Sequence, residues 1–147
     1  MRTRASNEMK IEFPSYSRNE SLARGTAACF AAQMDPTLSE LEDIKTAVSE
    51  AVTNAIIHAY PEQIGPVRMK LRICPGNVLE VTVRDGGKGI SDVEQARQPM
   101  FTTGGEERSG MGFTIMESFM DRLNVRSREG RGTVVTMRKK ISVRGGS

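Results

Sequence analysis

Groups able to do chemistry concentrate at three places in this sequence: Glu50 and Asn54, four residues apart; Asp85 among glycines; and the pair Gly110-Met111-Gly112. Asp85 opens the run Asp85-Gly-Gly-Lys-Gly89 and follows residues 78–84, an alternating run of β-formers, so it stands where a strand ends and the chain turns. Its carboxylate only accepts, while Gly86, Gly87 and Gly89 permit positive φ and let a ligand approach the backbone. The second cluster precedes Phe113, Ile115, Met116 and Phe119, apolar positions spaced as one helical face. Free N–H groups and the dipole at such a helix start suit an anion, most simply a phosphate. Each cluster alone also fits an ordinary loop or helix start.

Glu50 and Asn54 lie one above the other on a long helix. An acid and an amide at that spacing usually face solvent. Here Ala47, Ile56 and Ile57 make the surrounding side less polar than a free surface, which favours a helix covered on both sides. His58, the only histidine, is one turn further on and is assigned no chemical role, since a lone histidine is more often structural.

The elements that must position these groups follow from periodicity. Residues 9–13 alternate and end at Pro14, a short strand. Ser17 and Glu20 form a capping-box pattern before a helix whose buried face is Leu22, Ala23, Thr26, Ala27, Phe30 and Met34, leaving Arg24 on the opposite face with Asn19 and Gln33. Thr37 and Glu40 repeat that pattern, and Leu38, Leu41, Ile44, Val48, Ala51, Val52, Ala55 and Ala59 keep a period near 3.6 until Pro61. Residues 67–73 and 78–84 make a hairpin around Pro75-Gly76-Asn77, and residues 122–128 and 133–139 a second around Glu129-Gly130-Arg131-Gly132. Residues 91–105 show no core face, as expected of a surface loop or a lid over a ligand, and a helix runs from Gly112 to about Met120. The order predicts an α+β two-layer sandwich: about five strands in a mixed, mostly antiparallel sheet with helices on one face. A single domain over residues 8–140 is expected, with residues 1–7 and 141–147 as disordered tails.

Bulk properties narrow the function. At 147 residues and 37% hydrophobic, the chain supports one core and not two. Basic residues number 21 against 18 acidic, too even a balance to argue for direct nucleic-acid binding, and no aromatic-basic interleaving offers a stacking surface. Cys29 and Cys74 lack metal-ligand spacing and are expected to be free, buried and reduced. No apolar run approaches a membrane span or a signal core, so no membrane association is expected and the location is read as cytoplasmic.

Taken together and in order, Glu50-Ala-Val-Thr-Asn54, Asp85-Gly-Gly-Lys-Gly89, Arg108-Ser-Gly-Met-Gly112 and Gly132-Thr133 resemble the N, G1 and G2 boxes and final Gly-Thr of the GHKL ATPases, the gyrase, Hsp90, histidine kinase and MutL superfamily with the Bergerat ATP-binding fold. Within it, the stretches at residues 49–58 and 101–116 resemble the anti-sigma serine-protein kinases of endospore-forming bacteria. The resemblance implies ATP and Mg²⁺ as cofactors. It implies that Asp85 accepts from the adenine amino group with Thr133 assisting through water, that Gly87 and Gly89 let base and ribose pack on the backbone, and that Asn54 is the metal ligand. Gly110, Met111 and Gly112 would cradle phosphates. Arg108 would neutralise the γ-phosphate, with Thr102, Thr103 and Ser109 in the same nucleotide-binding lid, and Glu50 would be the catalytic base. The lid, Thr102-Thr-Gly-Gly-Glu-Glu-Arg108, lacks the lysine and the slightly longer segment that such relatives have after the two threonines.

As partners the resemblance implies an RNA polymerase sigma factor of sporulation, a STAS-type anti-anti-sigma protein phosphorylated on serine, and a second copy in a homodimer; Arg24, from its place on the exposed face of the first helix, is the expected partner contact. One alternative is a sigma-binding module that uses ATP without phosphotransfer, although Glu50 would then have no task. Another is the catalytic half of a histidine kinase. No Gly-Lys-Ser/Thr P-loop or His-Arg-Asp loop is present, which excludes a Walker-type NTPase and a eukaryotic-type kinase.

Overall fold

The computed structural model describes residues 5–90, Val93 and residues 107–143, without the side chains of residues 107–111. Among the described residues five strands and three helices are present: β1 (Asn7–Pro14), α1 (Asn19–Ala31), α2 (Leu38–Thr53), β2 (Pro66–Cys74), β3 (Val78–Asp85), α3 (Glu107–Phe119), β4 (Arg122–Arg128) and β5 (Gly132–Lys140). A 3₁₀ turn, Ala32–Met34, ends α1, and a π-helical turn, Asn54–His58, continues α2. The sheet order is β1-β2-β3-β5-β4, and each pairing is antiparallel, so the α+β sandwich expected from the sequence is present with both hairpins.

Alternation along the strands divides the sheet into two chemically different faces. Met69, Leu71, Leu79, Val81, Val83, Val135 and Met137 are buried under the helices. The opposite face carries a charged ladder in which Arg72 donates to Glu80 at 2.9 Å and reaches Glu8 at 3.2 Å, while Arg138 reaches Glu80 at 2.6 Å. Helix α2 is central, packed between α1 and α3. Ala47 and Ile56 are both buried but Ile57 is exposed, so the second side of this helix is covered only in part.

Local rules held in some places and yielded in others. Thr37 caps α2 as expected: its Oγ1 accepts from Glu40 N–H at 3.0 Å, and Glu40 Oε1 accepts from Thr37 N–H at 2.9 Å. Ser17 does not cap α1. The chain enters that helix through a tight turn in which Asn19 N–H donates to the Tyr16 carbonyl at 2.9 Å and Glu20 N–H to the Ser17 carbonyl at 3.2 Å, leaving the Ser17 hydroxyl no orphan donor to satisfy. Leu22 and Leu38 are exposed rather than buried, because Ala23, Ala27 and Phe30 centre the buried stripe of α1 and Leu38 is the first residue of α2, ahead of its core.

Cys74 is buried, but Cys29 is exposed: it is two positions past Ala27 and so points away from that stripe. The ordered chain also extends beyond the limits read from sequence. Ser6 N–H donates to the Ile73 carbonyl at 2.8 Å, Ile141 is fully buried, and Ser142 N–H donates to Glu40 at 2.9 Å. An apolar side chain that fills the core orders the residues around it more effectively than composition alone suggests.

Candidate active site

The site begins where the buried rows of the sheet turn polar. Val81 and Val83 alternate inward along β3, and Asp85 takes the next inward position at its end. In register it faces Thr133 of β5, which faces Ser127 of β4, so three polar side chains replace the apolar row at one end of the helix-covered face. Asp85 is 8% exposed. Its Oδ1 accepts from Gly87 N–H at 3.0 Å and from Thr133 N–H at 3.3 Å, and Oδ2 takes no hydrogen bond among the described residues. Burial raises the carboxyl above its ordinary range, and the two N–H bonds oppose this only in part. A carboxylate held by one oxygen, with the other available, is an acceptor prepared for a donor from outside.

Ser127 was not apparent from sequence, yet it organises this row. Its Oγ donates its one proton to the Gly132 carbonyl at 3.0 Å, and accepts from Ile90 N–H at 2.7 Å and from the Thr133 hydroxyl at 2.8 Å. A serine in an alternating strand gives no local signal of such a role.

Gly89 takes the positive φ expected of the first cluster, and the protein's own packing gives Gly87 and Gly89 a second reason to be glycine. A side chain on Gly87 would collide with the Ala59 carbonyl, and one on Gly89, at φ +76°, with the Arg128 carbonyl. The protein's own backbone, approaching from both sides, requires glycine there. Lys88 N–H donates to the Ala59 carbonyl at 3.1 Å, and Gly130 N–H to the Lys88 carbonyl at 2.6 Å. The Asp85 loop is thereby fastened between the end of α2 and the β4–β5 turn.

The second part of the site is built on α2. Glu50 and Asn54 are half-buried one turn apart, and α3 crosses them at Gly112, where a Cβ would stand 3.3 Å from both Glu50 Oε1 and Asn54 Nδ2. The second glycine cluster thus meets the acid–amide pair directly. Asn54 Nδ2 is buried and has no hydrogen-bond partner among the described residues. Because amide oxygen and nitrogen exchange by a ring-like flip of the side chain, the same spot can present Oδ1 instead. An orphaned amide beside a carboxylate fits Mg²⁺, a hard ion that takes one or two protein oxygens and fills its other positions with phosphate and water. Among the described residues no three His, Cys, Asp or Glu side chains converge to cage a metal without such outside ligands.

Helix α3 starts at Glu107, five residues before the expected Gly112, so Gly110-Met111-Gly112 fall inside its first two turns. Glu107 and Arg108 are good helix formers and extend it past the glycines. The side chains of Arg108, Ser109 and Met111 lie outside the described residues, as do Thr102, Thr103 and the lid. Arg24, expected on an open face, is half-buried, with Nε 3.3 Å from Glu20 Oε2 across one turn of α1. Among the described residues no helix is long and apolar enough to cross a membrane.

Comparison with known proteins agrees with this geometry. The histidine kinase-like ATPase domain family matches residues 13–139. The anti-sigma F factor of Heyndrickxia coagulans is 53% identical over 140 residues, which cover 94% of this chain and 95% of that protein. That of Bacillus subtilis (strain 168) is 54% identical over 138 residues, covering 92% of this chain and 94% of that one.

Among solved structures, the RsbU and RsbW domains of a Mycobacterium tuberculosis protein superpose with a TM-score of 0.69 at 17% identity. The match covers 92% of this chain and 32% of that one, and at such identity it supports the fold alone. A blue-light activated histidine kinase from Erythrobacter litoralis is 25% identical with a TM-score of 0.58, over 80% of this chain and 40% of that one. Near-complete coverage at more than half identity, on the fold those structures share, makes this chain a member of the anti-sigma F factors within the histidine kinase-like ATPase family.

Proposed function

We propose that the protein binds a sporulation sigma factor and, as a serine kinase, transfers the γ-phosphoryl group of ATP to a serine of a STAS-type anti-anti-sigma partner. The observation that carries this reading is the meeting of Gly112 with Glu50 and Asn54. A module that only held nucleotide would need the amide for its metal and an acceptor for its base, but no carboxylate against the glycine that closes the phosphate-binding cluster. The working domain comprises the expected residues 8–140 together with the flanking residues up to Ser6 and Ser142 that the fold holds, and two copies form the functional unit.

In this reading Asp85 Oδ2 receives the adenine amino group, with Thr133 supporting through water. Gly87 and Gly89 shape the loop under the base, Asn54 holds Mg²⁺, and Gly110, Met111, Gly112, Thr102, Thr103, Arg108 and Ser109 surround the phosphates. Held by Asn54, Mg²⁺ would supply positive charge that offsets the charge on the phosphates. Glu50 accepts the proton of the attacking serine hydroxyl as its oxygen bonds to γ-phosphorus and the bond to the β-phosphate oxygen breaks, releasing ADP. A positioned base of this kind contributes roughly 10²–10⁴-fold. The sigma factor is proposed as a partner because the relatives are anti-sigma F factors. Arg24 contributes to its binding from α1.

The test is transfer of label from γ-labelled ATP with Mg²⁺ in an extract of the source cells, using the purified chain and its Glu50→Ala variant. Phosphoserine on one small protein, dependent on Glu50, is expected. Tight ATP binding with no labelled protein would replace this reading with that of a nucleotide-dependent sigma-binding module.

A further inference from the structure

Tyr60 joins the helix that carries Glu50 and Asn54 to the loop that carries Asp85. Its hydroxyl accepts from Gly86 N–H at 2.7 Å and donates to the Pro66 carbonyl at 2.8 Å. The ring is buried and lies so close against Gly65 that any side chain at 65 would overlap it. It reaches this place because α2 ends in a π-helical turn, closed by Ala59 N–H donating to the Asn54 carbonyl at 3.2 Å. Wide turns of this kind are rare and insert one extra residue per turn, which here re-aims the chain so that Ala59 and Tyr60 face the Asp85 loop. Asp85 is bonded to the backbone on either side of that loop, and Gly86 is the peptide between it and Gly87. Displacing the Gly86 peptide therefore displaces the carboxylate.

The geometry points to Tyr60 as a positioning residue for base recognition, its hydroxyl fixing the Gly86 peptide so that Asp85 Oδ2 is held toward the purine amino group. This rests on the proposed role of Asp85. A group that sets the direction of an acceptor acts on selectivity more than on overall affinity, because the phosphates bind at the other end of the site. The same arrangement ties base reading to the helix of the proposed catalytic base, since residues 54–60 run without interruption from Asn54 to the Tyr60 hydroxyl.

The discriminating pair of ligands is ATP and inosine triphosphate, which differ where the amino donor of adenine becomes a carbonyl acceptor. An acceptor facing Asp85 leaves both groups unpaired, so the wild type should prefer ATP. Binding of each is measured by calorimetry on the full chain as wild type, Tyr60→Phe and Gly65→Ala. Phe keeps the ring and removes the hydroxyl, whereas Ala at 65 pushes the ring aside with the hydroxyl intact. Both variants are expected to lose affinity for ATP by roughly tenfold, the scale of one buried hydrogen bond, with inosine triphosphate changed less than about twofold. An unchanged ratio in both variants, or equal loss of both ligands, overturns the positioning role. Absence of any ATP preference in the wild type would instead locate the failure in the assignment of Asp85, and the role of Tyr60 would fall with it.

Discussion

Gly112 of α3 lies on Asn54, the first residue of the π-helical turn after α2, with 3.3 Å between the amide nitrogen and the place a Cβ would take. That distance is tight enough to require a small displacement but does not forbid alanine. Gly112→Ala is expected to stay folded, with a melting temperature lowered by no more than about 4 °C. Phosphotransfer should fall by up to about tenfold, because a shift of a few tenths of an ångström is smaller than the roughly 1 Å misplacement that costs about 10²-fold. Circular dichroism melts and label transfer on the same preparation check this; parallel loss of both would show that the contact is only packing.

Glu50→Gln keeps the shape of the side chain and removes its ability to take a proton. Its kcat should drop by roughly 10²–10⁴-fold while the dissociation constant for ATP stays within about twofold. An equally large loss of ATP affinity would assign Glu50 to ground-state binding.

Asp85→Asn retains an oxygen to accept from Gly87 and Thr133 but carries no charge. Burial raises the folded-state value of Asp85 above its ordinary 3.8, the N–H bonds opposing in part. Between those two values the folded chain binds more proton than the unfolded one, so this group's contribution is complete below 3.8 and is lost as pH rises through the folded value. The variant should therefore melt at or above wild type at pH 7, with the gap closing toward pH 4, and should bind ATP at least about tenfold more weakly. Paired thermal melts across pH, with a nucleotide titration, test both halves; a variant melting below wild type at pH 7 contradicts the sign.

Glu80 behaves in the opposite way. Burial would raise its carboxyl, but hydrogen bonds from Arg72 and Arg138 outweigh burial and hold it below the ordinary 4.5. Its stabilisation is present above 4.5 and is lost as pH falls through the folded value. Glu80→Gln leaves Arg72, 5% exposed, without its buried partner and should cost about 3 kcal/mol at pH 7, less in acid, with nucleotide affinity unchanged. Urea unfolding at two pH values measures this.

Arg24→Ala should weaken sigma binding by at least about tenfold and leave ATP affinity within about twofold, on the scale of a central interface arginine. Glu20→Gln, which removes the ion pair holding Arg24 on α1, is expected to weaken the same partner less. Unchanged affinity for sigma in Arg24→Ala, read by surface-immobilised binding, would remove Arg24 from the interface.

Much of this molecule was legible in local pattern. Period-two alternation specified both hairpins and period 3.6 specified α2, because each element has to bury one continuous apolar face and that requirement is written residue by residue. Asp85 was visible because it ends an alternating strand with a carboxylate among glycines, and Glu50 and Asn54 because they stand one turn apart on a side of the helix flanked by apolar residues. Ser17, Leu22 and Cys29 were misjudged where a turn or a shift of about 100° around the helix decided the outcome.

Only the tertiary structure decided what these residues do for one another. Asp85, Thr133 and Ser127 are far apart in sequence and become one row through strand register. Tyr60 and Gly86 meet across a π-helical turn that no propensity announces, and Gly112 meets Glu50 and Asn54 through the crossing of α3 on α2. Sequence by itself determined which elements form, since that depends on neighbours within a few residues. The site depends on how separate elements pack, and packing is settled by all the buried faces at once.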